Sequence, residues 1–96
     1  MYYLIENKVT NELYCNRSKD APVSVKKIFK HSYDPHVKTY NHPLSEAIRE
    51  YGADNFRITY WQNPPPQVGH LRRYMPALPK EEWGYENYTR EECEAL

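Results

Sequence analysis

Ninety-six residues leave room for one small hydrophobic core, which excludes a large multidomain enzyme. An apolar fraction of 40% and ten tyrosines exclude a chain with nothing to bury, while eight prolines imply irregular stretches. Thirteen basic and thirteen acidic side chains cancel, so no global positive field draws in nucleic acid, and any such site must be a local patch.

The first segment, MYYLIENK, has no basic start followed by an apolar run of signal length, and no stretch of about 20 apolar residues occurs anywhere. A cytoplasmic chain without membrane contact is expected. Cys15 and Cys93 share no paired spacing, so reduced thiols are expected rather than a disulfide framework. Aromatic and branched residues in MYYLIE and ELYC flank NKVTN, whose asparagines suit a turn, and the segment reads as a β-hairpin. After the start signal Asp20-Ala21-Pro22 the period changes. Val25, Ile28 and Phe29 fall on one helical stripe, with Lys26, Lys27 and Lys30 elsewhere.

Residues 32–42 are polar, contain Pro35 and show no period, which predicts a loop. Pro43 then occupies a first helical position, Leu44, Ala47, Ile48 and Tyr51 trace one face, and Gly52 is placed to end the turn, predicting a helix over 43–51. Phe56, Ile58 and Tyr60 alternate with Arg57, Thr59 and Trp61, the pattern of a strand with one buried face. The expected fold is α+β, a three-stranded antiparallel sheet with two flanking helices over residues 1–61. A proline-rich connector over 62–70 follows, because consecutive prolines lack amide hydrogens and fix φ. Residues 71–96 are expected to be irregular and to end in a short acidic helix, since Thr89 and Glu92 have capping-box spacing.

Hairpin, basic helix, capped helix and strand, at these spacings, resemble the GIY-YIG endonuclease domain. MYYLIENKVTNELYCNRS is similar to that family's GIYxIxNxxNxxxYIGxS hairpin, KKIFKH at 26–31 to its RxxxH helix, and HPLSEAIREYGADNFRITYW at 42–61 to its NxxLxxAIxKYGxxNFxxxIL segment. The resemblance covers about the first 61 residues. It implies a phosphodiester site in which Tyr3 and Tyr14 are the two tyrosines, with Lys27 and His31 on the helix. Three departures accompany it. Lys27 stands where the family has an arginine, keeping the charge but losing the bidentate fork. Asn16 stands where the family has glycine, and the connector replaces the helix that carries the family's metal-binding glutamate. Only Glu81 and Glu82 could then hold Mg2+ or Mn2+, with Glu46 a poor substitute. No cofactor is expected unless the chain is an active nuclease.

The expectation is therefore a degenerate nuclease fold that has lost its activity and binds nucleic acid or a host protein complex, a role that suits a small chain from a bacterial virus. An active metal-dependent endonuclease using Tyr3, Tyr14, Lys27 and His31 is the alternative. Lys26, Lys27, Lys30 and Lys38, with His31, Tyr33 and Tyr40, form the basic and aromatic cluster expected to meet phosphates and bases. A protein-only inhibitor or adaptor is the third reading, with Trp83 and Tyr85 as anchors and the PPPQ segment as a polyproline ligand or a rigid spacer. His31, His36 and His42 match no compact zinc-ligand spacing with either cysteine.

Overall fold

In the computed structural model, residues 1–82 are described. Tyr2–Asn7 (β1) and Glu12–Arg17 (β2) form the expected antiparallel hairpin. Its turn is built by asparagines. The side chain of Asn7 accepts from the amides of Val9 at 2.9 Å and Thr10 at 3.3 Å, and Asn11 takes the left-handed conformation with φ 62°, which asparagine tolerates better than most residues.

The first helix, Ala21–His31 (α1), begins at Asp20, whose carboxylate accepts from Val23 N, with Pro22 in its first turn. The second, Pro43–Tyr51 (α2), has the predicted bounds. His42 caps it, its Nδ1 accepting from Leu44 N at 3.1 Å, and Gly52 at φ 85° ends it, donating its amide to Ile48 O at 2.9 Å. Between the helices the loop contains a 3-10 turn, Lys38–Asn41. The strand Phe56–Trp61 (β3) then pairs antiparallel with β1.

The sheet has four strands, not three. Tyr74–Pro76 (β4) pairs antiparallel with β2, giving the order β3-β1-β2-β4. The sequence hid β4 because it is three residues long and ends in proline, which an edge strand tolerates where a central one does not. With β4 in place both faces of the sheet are covered. On one, Tyr3 and Ile5 of β1 pack with Ala21 and Val25 of α1, Leu44, Ala47 and Ile48 of α2, and Phe56. On the other, Leu4, Leu13 and Cys15 meet Trp61, Leu71 and Ala77. Alternation along β1 thus feeds two cores, and for that reason the run YYLI carries no polar residue.

Three further expectations change. Phe56 is buried, but Ile58 and Tyr60 are 37% and 42% exposed, because β3 is an edge strand and the helices cover only its start. The proline connector is no detached spacer. Pro65, Pro66, Gln67 and His70 are fully or almost fully buried, so those two prolines pack against their own chain and are not free to serve as a ligand for another. Both segments are also partly regular, with a 3-10 turn at Val68–His70 in the connector and, in the extension, β4 and a 3-10 turn at Lys80–Glu82. The expected terminal helix, Trp83 and Tyr85 lie outside the described residues.

Candidate functional site

Four polar side chains anticipated or noted in the sequence converge at the junction of β2, α1 and the entry to α2. Tyr14, Lys27, His31 and His42 line one pocket of about 190 Å³, together with Ile28, Thr39, Leu44 and Ser45. Helical geometry explains half of this set. At about 100° per residue, Lys27 and His31 lie roughly 40° apart on α1, whereas Lys26 is about 100° from Lys27. Lys26, Lys30 and Lys38 are exposed and do not line the pocket.

His42 is the residue that sequence reasoning undervalued. Its place before Pro43 makes it the helix cap, and with Nδ1 accepting from Leu44 N the neutral ring carries its proton on Nε2. The ring meets Tyr14 edge to face, centroids 5.5 Å apart. Tyr14 is held from the other side by Asn16, whose Nδ2 donates to the phenol oxygen at 3.1 Å. Asn16 therefore has a task here, fixing Tyr14.

Tyr3 lies beneath, its ring 6.5 Å from that of Tyr14, and is buried in the helix-side core. Burial raises its phenol pKa to about 12, reinforced by Tyr14 and Cys15 and opposed by a hydrogen bond from Asn16. Tyr3 thus stays protonated at neutral pH and supports Tyr14 as a packed neighbour rather than as a base. Burial likewise pushes the Cys15 thiol up to about 12, leaving it unreactive.

The loop that brings Thr39 and His42 to the pocket is pinned by Arg49 of α2. Its Nη1 donates to Ser32 O at 2.7 Å and to Tyr40 O at 2.8 Å, and the guanidinium stacks on the Tyr40 ring at 3.9 Å. Buried Ser32 closes α1, its hydroxyl donating to Ile28 O at 2.6 Å. This wall of the pocket is held by two hydrogen bonds to backbone carbonyls and one stacked cation.

The donor set decides what the pocket can hold. One ammonium, two imidazoles, a phenol and two hydroxyls can all donate to an anion, and no carboxylate is among the described residues that line it. A hard divalent cation seeks oxygen ligands, carboxylates above all, so these residues do not fit the metal that a GIY-YIG nuclease would use. Among the described residues no group of three or more His, Cys, Asp or Glu could hold a metal ion. Glu81 and Glu82 are exposed in the turn after β4, Glu46 is exposed on α2, and none lines the pocket. No described helix is long and apolar enough to cross a membrane.

No family model, curated protein or solved structure matches the chain.

Proposed function

We propose that this protein binds the phosphodiester backbone of nucleic acid in the Tyr14, Lys27, His31 and His42 pocket and does not cleave it, a nuclease-like architecture retained for binding. The observation that carries the reading is the lining itself, a donor-rich recess with one ammonium and, among the described residues that line it, no carboxylate. Lys27 supplies a point charge, His31 and His42 supply N–H donors, and the Tyr14 ring offers a face for a base. In a bacterial virus such a protein would occupy nucleic acid that host enzymes need.

The test incubates the full chain with fluorescent single- and double-stranded DNA and RNA, with magnesium, manganese or chelator, across a salt series. The expected result is uncleaved ligand, affinity that falls steeply with salt, and about tenfold weaker binding after Lys27→Ala. Metal-dependent cleavage abolished by the same substitution would replace this reading with that of an active endonuclease. Two imidazoles and a phenol in one pocket are groups such chemistry could use. Salt-insensitive or absent binding would shift the function to a protein target.

A further inference from the structure

The end of β2 carries a second recess, on the other side of Asn16 from the Tyr14 pocket. Tyr2, Asn16, Arg17, Leu71 and Arg72 line it, and Arg17 also lines an adjoining depression with Ser18 and Lys19. Pairing between β2 and β4 stops at Tyr14 and Tyr74, so the last residues of β2 have no strand beyond them. The turn before β4 closes on them instead, with Arg72 N donating to Cys15 O at 2.8 Å.

Arg72 sits in the left-handed region with φ 61°. Glycine or asparagine fits that conformation with less strain, yet the turn presents a guanidinium. Among the described residues, neither the Arg17 nor the Arg72 side chain has a hydrogen bond or ion pair. Two unengaged guanidiniums beside an amide and a phenol ring form a surface suited to a phosphate group, for which the arginine fork gives bidentate geometry.

The two recesses are joined by a single side chain. Asn16 donates from Nδ2 to Tyr14 OH at 3.1 Å and accepts at Oδ1 from Arg17 N at 2.8 Å. Tyr14 and Asn16 are two residues apart on the strand, about 7 Å along it, and share one of its faces. Each recess also carries a partly exposed tyrosine, on which an unpaired base can stack.

Resting on the reading of the first pocket, we propose that one single strand of nucleic acid crosses the end of the sheet. One phosphate lies in the Lys27 and His31 pocket and another phosphate of the same strand lies against Arg17 and Arg72. Half of the second contact, Arg72, comes from the extension after the proline segment, outside the region resembling a nuclease, and half, Arg17, from the end of β2.

The test measures fluorescence anisotropy of a labelled 12-nucleotide single-stranded DNA and its duplex against the full-length protein, Lys27→Gln and the double variant Arg17→Gln/Arg72→Gln, each across a salt series and checked for folding by circular dichroism. The expected result is about tenfold loss in the double variant, a salt slope reduced by about one to two, and preference for the single strand. If Lys27→Gln weakens binding while the double variant keeps wild-type affinity and slope, the second contact is overturned and the first pocket stands. Loss in the double variant alone overturns the first pocket and keeps the arginine site. Wild-type protein that binds neither oligonucleotide overturns both, and preference for the duplex overturns the single-strand path.

Discussion

On the helix face of the sheet, Lys27, His31 and His42 stand around an open pocket with their donors available. On the opposite face polar groups are buried. Within the extension that covers it, His70 is held by Nε2 against Pro76 O at 2.6 Å, and Gln67 accepts from Leu78 N at 3.0 Å. Gln67 Nε2 and His70 Nδ1 are buried with no partner among the described residues, a cost that a folding core tolerates only where other contacts outweigh it. The contrast separates roles. Polar side chains of the extension hold Pro76 and Leu78 in place, whereas those of the pocket are left for a ligand. On the helix face Asn7 ties β1 to β4, its Nδ2 donating to the Tyr74 hydroxyl at 3.1 Å.

The largest effect should come from alkali, which challenges both sides of the sheet at once. Tyr3 faces the helices and Cys15 the extension, and both pKa values rise on folding, from 10.0 and 9.0 respectively to about 12. Above pH 9 the unfolded chain gives up protons that the folded chain keeps. Stability contributed by these groups is therefore complete below pH 9 and lost as pH climbs toward 12. Urea denaturation between pH 8 and 12 should show a midpoint that falls steadily from about pH 9, and a flat midpoint to pH 11 would contradict the burial of both groups.

Neighbours on one strand give the next sharpest comparison. Leu4 and Ile5 are 1% and 0% exposed, in different cores. Leu4→Ala and Ile5→Ala should each cost about 2–5 kcal/mol by chemical denaturation. A cost below about 1 kcal/mol for Leu4→Ala alone would mean that the extension merely drapes over its face.

A smaller loss is expected from Arg49→Met, which removes two hydrogen bonds to carbonyls and the stack on Tyr40 while preserving much of the side chain's bulk. It should cost about 2 kcal/mol. Hydrogen exchange should quicken across residues 32–42 but not across β4. Uniform quickening would show that Arg49 supports the whole fold rather than one wall of the pocket.

Periodicity made the helix face legible and left the other face unread. Pro43, the Leu44, Ala47 and Ile48 stripe and Gly52 specify α2 by local rules, and its bounds follow. Lys27 and His31 could be paired on one surface by helical spacing alone. His42 could not be placed, because its contact with Tyr14 crosses from the entry of α2 to β2, a relation no local pattern encodes. The extension defeats local reading for a related reason. Pro65 and Pro66 look like exposed linker residues yet are buried, Leu71 and Ala77 cover Leu4, Leu13 and Cys15 from far along the chain, and β4 gains its regularity only by pairing with β2.

The central claim is that nucleic acid enters the open pocket on the helix face and leaves the buried polar groups Gln67 and His70 untouched. Its most direct test is a two-dimensional amide NMR titration of the full-length protein with a short single-stranded oligonucleotide, at low and then high salt. The account predicts shifts at Tyr14, Lys27, His31, Thr39 and Ser45 that disappear as salt is raised, with Gln67 and His70 unmoved. Shifts confined to the segment from Gln67 to Ala77, or no shifts with oligonucleotide in large excess, would contradict it.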